Sequence, residues 1–189
     1  MADKTMERPM DWQERLEHER EQKDEYFGED QRSPLSPDEQ ASFDGLNYYP
    51  IDPAYRFELE LKPVADPETV VVGTSADGER EYLAWGEFEF TVDGETRTLT
   101  AYKSSPDEER LWVPFRDGTS GGETYGAGRY LDLEPDRHRT DEGTWRLDFN
   151  EAYNPTCAYS DRYECPLPPT ENWLDVPIEA GEKVYGDGH

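Results

Sequence analysis

Two stretches hold the side chains best suited to chemistry. "PFRDGTSGGETYGAGRYLDLE", residues 114–134, gathers Arg116, Asp117, Glu123, Tyr125 and Arg129 among five glycines. "DFNEAYNPTCAYSDRYECPLPPTENW", residues 148–173, carries Asp148, Asn150, Tyr153, Asn154 and Tyr159 together with both cysteines. Glycine lets backbone amides turn sharply or come close to a ligand. Arg116 and Arg129 suit an anionic or polar group, Asp148, Asn150 and Asn154 can orient it, and Tyr125, Tyr153 and Tyr159 can wall it in. These residues predict a pocket between 114–130 and 148–172 for a small polar or anionic molecule. Two other readings use the same residues. A carboxylate from Asp117, Glu123 or Asp148 could serve a hydrolase or isomerase as acid or base. Alternatively the loops only strap the fold closed, as in a structural or interaction protein. In that case changes at Arg129 and Asp148 unfold the chain rather than disarm it.

Strand parity sharpens the place of Arg129. It alternates in phase with Leu131 and Leu133, so if the leucines face inward the guanidinium does too. A buried arginine needs a carboxylate or an anionic ligand. Glu123, Asp117 and Asp148 are the partners in reach of the pattern. In "TWRLDFN", Trp145, Leu147 and Phe149 take one face and Arg146, Asp148 and Asn150 the other. That alternation aims Asp148 and Asn150 across a polar cleft or into a barrel mouth.

Other chemistry is disfavoured by type and spacing. "GAGRYL" lacks a third glycine and leads into a strand, whereas a dinucleotide fingerprint opens a helix. No phosphate-binding loop of the Walker kind occurs. Ser120, His138 and an aspartate have no spacing that suggests a triad. Cys157 and Cys165 are too few for a soft metal site, and His18, His138 and His189 are scattered. No metal or cofactor is therefore expected. A disulfide is geometrically open to the two cysteines, but two buried thiols are the favoured reading in a cytoplasmic chain. Arg162 is the single cation between Arg146 and Lys183, which leaves little to activate a thiolate.

The elements that must position these residues follow from periodicity. "PMDWQERLEHEREQKDEYF" predicts a helix over 8–28, with Pro9 in its first turn and a thin stripe of Trp12, Leu16 and Phe27. Residues 1–7 are expected as a tail, and the proline-bearing 32–55 as a wrapped connection. From 55 to 150 the period becomes two. "RFELELK", "ETVVVGTS", "REYLAWGEFEFTV", "TRTLTAY", "RLWVPF", "GRYLDLE" and "TWRLDFN" read as seven strands. Asp77-Gly78 and Asp93-Gly94 mark hairpins. Residues 150–189 form a proline-rich strap. A mostly antiparallel set of this size must close or fold over to protect its edges. The expected fold is mainly β, an antiparallel β-barrel or two-sheet sandwich with an N-terminal helix, in a single domain over 8–189.

Both opening stretches, continued through "LDVPIEAGEK", resemble the family called domain of unknown function 1684, which includes haloarchaeal members. "SPL", "FDGLNYYPID" and "YRFE" upstream carry the same resemblance, which spans roughly residues 12–183. It implies that the polar, glycine-rich constellation is the family's signature. It supplies no substrate and no catalytic roles.

Composition sets the habitat. The formal net charge is -26, with 45 acidic against 19 basic residues and only five lysines. Low hydropathy with such charge would suggest disorder, but aromatics reach 13% and fall in strand-like runs. The acid is spread along the chain. In salt near 1 M the Debye length falls to about 3 Å, so repulsion is screened while the carboxylates keep the surface hydrated. This fits a halophile's cytoplasmic protein. No basic stripe offers itself to phosphates, so no nucleic acid partner is expected. The start lacks an apolar leader, and no run approaches the roughly 20 apolar residues of a membrane helix. A small-molecule ligand is the expected partner, and the sequence sets no oligomeric state.

Overall fold

The computed structural model describes residues 11–160 and 162–185. The expected tail at 1–7 and Pro9 lie outside the described residues. Contacts group the chain into two compact units, Met1–Gly45 and Leu46–His189.

In the first unit, α1 spans Trp12–Glu29, against the 8–28 expected. Asp11 caps it, its side chain accepting from the Glu14 amide at 2.8 Å. Leu16 and Phe27 are its buried residues, as the stripe implied. The free carbonyls at its end find side-chain donors. Ser33 Oγ donates to Phe27 O at 2.7 Å, and Gln40 Nε2 donates to Phe27 O and Asp30 O. Gln40 sits on a short helix, α2, Pro37–Ala41, which the wrapped connection had hidden. Its sequence signal is a capping box. Ser36 Oγ accepts from the Glu39 amide, and the Glu39 carboxylate accepts from Ser36 Oγ.

All seven predicted strands of the second unit form. One of them divides. The run 56–62 becomes β1, Arg56–Leu59, and β2, Lys62–Pro63. Then come β3, Thr69–Gly73; β4, Glu79–Val92; β5, Glu95–Lys103; β6, Leu111–Phe115; β7, Arg129–Leu133; and β8, Trp145–Asp148. A four-residue helix, α3, covers Pro135–His138. All strand pairs among the described residues are antiparallel. β1 and β8 make a two-stranded sheet. The others make a sheet ordered β2-β4-β5-β6-β7, with β3 also on β4. The fold is thus mainly antiparallel β with an N-terminal helix, and no closed barrel occurs among the described residues.

Local chemistry explains the joints. Asp93 and Gly94 have φ of 53° and 78°, the two positive values a tight hairpin of matching twist requires. β4 carries a bulge between Ala84 and Gly86. At Gly86 a Cβ would lie 2.8 Å from Leu61 Cγ and 2.9 Å from Lys62 O. Glycine there lets the chain press onto β4 where it leaves one sheet for the other. Phe88, Phe90 and Val92 point inward from β4 and Glu87, Glu89 and Thr91 outward. With Leu99, Val113, Leu131 and Leu147 they form one core. Phe149 centres it, its ring 5.3 Å from both Phe90 and Phe115.

Residues 171–180 depart from a plain strap. Asn172, Leu174, Val176, Ile178 and Ala180 are buried, and the residues between them are exposed. This is strand periodicity without a strand ladder. The alternation is visible in "LDVPIEA", where Pro177 disguises it as a loop.

Candidate functional site

Arg129 is fully buried at the start of β7, as its parity required. Of its three possible partners the structure selects Asp117, with Nη2 to Oδ2 at 3.2 Å and both side chains wholly inaccessible. The terminal nitrogens also turn to the C-terminal segment, while the buried Nε has no partner among the described residues. Nη2 donates to Ile178 O at 2.9 Å, and Nη1 donates to Glu182 O at 3.2 Å and to Ala180 O. Burial pushes the guanidinium's pKa down, while Asp117, Tyr49 and Glu182 pull it back up. An arginine keeps its proton under any such balance near neutrality.

Asp117 is held as tightly. Its Oδ2 accepts from the Ile178 amide at 2.6 Å, and its Oδ1 accepts from Thr119 Oγ1 at 2.8 Å and Ser120 Oγ at 3.2 Å. The glycine-rich loop closes on itself and on the same segment. Gly118 N donates to Val176 O, and Val184 N donates to Glu123 O. Glu123 itself is exposed and accepts from Tyr49 Oη. Tyr49 has its pKa raised by burial first and Glu123 second. Arg116 is half-buried, its guanidinium stacked 4.5 Å over Trp173. Tyr125 is half-buried in the loop, where its carbonyl accepts from Gly128 N.

The second stretch is built around amides. Asp148 and Asn150 are each 2% exposed, so neither reaches across an open cleft as the alternation suggested. The cause is that β8 ends at Asp148, and residues Phe149–Glu151 turn in a 3-10 helix. Asp148 Oδ1 accepts from both the backbone and the side-chain amide of Asn150. The Asn150 side chain then receives Asp52 N–H at 2.9 Å and donates to Asp52 O at 2.8 Å. It behaves as a peptide group from a missing strand. Asn154 donates from Nδ2 to Glu182 Oε2 and Lys183 O, each at 3.0 Å. Tyr159 Oη donates to the same buried carboxylate. Tyr153 Oη donates to Asp132, and its pKa is raised by burial and then by that carboxylate.

Two residues of this network were missed. Glu182 is fully buried beneath Asn154 and Tyr159, in a segment read only as strap. Asn172, also fully buried, repairs a gap in the large sheet. β5 meets β6 through Tyr102 opposite Trp112, and that register sets Thr100 opposite Pro114. Proline has no N–H to give. The Asn172 side chain accepts from Thr100 N at 2.8 Å and donates to Thr100 O and Pro114 O at 2.9 and 2.8 Å. A compositional signal existed. The chain has four asparagines against 45 acidic residues, and three of the four are at most 2% exposed. A surface that takes acid almost everywhere keeps asparagine for buried donors, and at Asn150 and Asn172 the one side chain both donates and accepts.

The remaining candidates fall into structural places. His138 accepts the Glu134 amide at Nδ1 and meets Glu151 at Nε2, 3.2 Å away, with no serine in that set. Cys157 and Cys165 are joined as a disulfide, Cα to Cα 6.2 Å, rather than standing as two thiols. The reason is local: the turn at residues Thr156–Ala158 folds the seven intervening residues back, so the Cys157 amide faces Cys165 Sγ. Among the described residues no three His, Cys, Asp or Glu side chains are grouped to hold a metal. No helix among them is long and apolar enough to cross a membrane.

A family model described as "Protein of unknown function (DUF1684)" matches residues 41–183. The chain is also similar to an uncharacterised protein of Haloarcula marismortui whose structure was solved by NMR in solution. The two share 46% sequence identity over 92% of this chain and 94% of that one, with a TM-score of 0.70. No curated protein matches.

Proposed function

The chain belongs to the DUF1684 family of proteins of unknown function, and from that premise we propose a binding protein without catalytic chemistry of its own. In this reading the two sheets form an open sandwich. The glycine-rich loop, through Asp117 and Arg129, forms a latch that locks the C-terminal segment across it. The observation that carries the latch is the partner set of Arg129. One buried guanidinium engages Asp117 and three carbonyls of residues 178–182, with no exposure left for a ligand. A general acid or base must reach its substrate. Asp117 is buried with donors on both oxygens, Asp148 is buried with two donors on Oδ1, and the exposed Glu123 is tied to Tyr49 Oη. The ligand expected from the sequence, small and polar or anionic, is then left to a surface that the latch holds in shape.

Thermal denaturation of Arg129→Ala in molar KCl tests this. Breaking a buried pair by removing one partner costs about 3–5 kcal/mol. For a chain of this size that is a fall in melting temperature of about 10 °C. A ligand clamp predicts the reverse pattern, a melting temperature within about 2 °C of the parent. That result would overturn the latch.

A further inference from the structure

A cleft of about 470 Å³ opens where the chain changes sheets between β1 and β2, away from the latch. Its size lies in the range of small-molecule pockets, roughly 300–1,000 Å³. Leu61, Trp85, Leu111 and Trp145 supply its apolar lining. Trp85 is the residue at the β4 bulge, between Ala84 and Gly86, with no partner on β5. Bulges re-aim side chains, and here the displaced one is an indole lining the cleft. Gly86 beside it is the position where Leu61 packs too close for any side chain. The site is therefore built by the backbone and is not a chance gap between loops.

Its cations are unusual for this chain. Lys103 and Arg139 both line the cleft. Lys103 Nζ sits 4.0 Å over the Trp85 ring, and the Arg139 guanidinium lies 5.9 Å from the Trp145 ring centre. With 45 acidic residues against 19 basic ones, a cation's ordinary fate here is a carboxylate. Neither makes an ion pair within 4 Å among the described residues. Each is held instead against an indole face, which leaves its N–H donors for something else. Glu109 and Asp136 also line the cleft and are exposed. Two carboxylates beside two cations disfavour a multiply charged anion and tolerate a single negative charge.

We propose that this cleft is the ligand site, and that it takes a small organic monoanion with a planar, aromatic body. The body packs against the exposed parts of Trp85 and Trp145, and a carboxylate or sulfonate takes charge-assisted hydrogen bonds from Lys103 and Arg139. This rests on the binding reading above and does not depend on the latch.

The test uses 2-naphthoate, with the uncharged 2-naphthamide as its neutral counterpart, titrated into the full chain in molar KCl. Binding is read by tryptophan fluorescence and by the indole N–H resonances. The expected result is saturable binding of naphthoate that shifts the Trp85 and Trp145 resonances and leaves that of Trp173 in place. Naphthamide binds at least about tenfold more weakly, the loss expected when a charged acceptor is removed. Lys103→Gln and Arg139→Gln each weaken naphthoate about tenfold, and Arg97→Gln, paired elsewhere with Asp175, does not. Equal binding of the two probes, insensitivity to both cleft substitutions, or no saturable binding overturns the proposal. If that happens while Arg129→Ala still lowers the melting temperature, the cleft alone is wrong. If naphthoate binds as expected and Arg129→Ala melts like the parent, the latch alone is wrong.

Discussion

At Asn172 a single amide stands in for a proline's missing donor. The side chain satisfies Thr100 N, Thr100 O and Pro114 O at once. Asn172→Ala strands all three in a buried sheet, and each unsatisfied buried group costs about 1–3 kcal/mol. We expect a loss of about 3–5 kcal/mol in denaturant unfolding, with the Thr100 amide exchanging faster with solvent. An Asn172→Ala chain as stable as the parent, with Thr100 still protected, would show that water or β6 replaces the amide. Asn150 repeats the device on Asp52, whereas Asn154 only donates, to Glu182 and Lys183, and its buried Oδ1 has no partner among the described residues. At Asn172 and Asn150 the chain uses a side-chain peptide analogue where a regular ladder cannot continue.

Elements here are shaped by interruptions more than by propensity. "RFELELK" alternates cleanly, yet it serves two sheets: β1 pairs with β8, and β2 pairs with β4 opposite Glu87 and Gly86. The change is possible because Gly86 carries no Cβ and the bulge beside it breaks β4's register. Gly86→Ala must push Leu61 or the Lys62 carbonyl aside. Overpacking of this kind costs about 1–3 kcal/mol. The substitution is expected to lower stability by that amount and to alter Trp85 fluorescence, since the bulge is the neighbouring residue. Unchanged stability and emission would mean that the sheet change does not depend on the close approach.

The whole molecule carries two pH- and salt-linked consequences. Burial raises the pKa of Tyr49, Tyr102, Tyr130 and Tyr153, assisted by Glu123, Glu171, Tyr82 and Asp132 respectively. A raised folded-state pKa contributes stability that is fully present below the unfolded value of about 10. Above it the unfolded chain releases protons that the folded chain keeps, so stability falls as pH rises. Alkaline titration should show these phenols ionising together with loss of the β-sheet circular dichroism signal. Ionisation of all the tyrosines near pH 10 in a chain that remains folded would contradict the burial argument. Charge acts over longer range. At -26, lowering salt from 1 M to 0.1 M lengthens screening from about 3 to about 10 Å. The melting temperature is expected to fall steadily over that range, and a flat profile would remove salt adaptation as the reason for the acid.

Seven strands, the N-terminal helix, the Asp93-Gly94 turn and the inward face of Arg129 were all legible in the sequence, because each depends on neighbours within a few residues. Periodicity and turn chemistry are local, so local reading recovers them. The partner of Arg129 was narrowed to three carboxylates and no further, since parity sets direction but not distance along another segment. Asp148 and Asn150 kept their alternation only until β8 ended, and the 3-10 turn that buries them follows from packing Phe149 at the core. The strand-like 171–180 was written in its alternating apolar residues and obscured by Pro177 and the prolines just before it. The scarcity of asparagine marked Asn172 but not its partners, and neither Glu182 nor the cleft between Trp85 and Trp145 was legible. Each depends on segments tens of residues apart meeting across two sheets, and only tertiary packing brings them together.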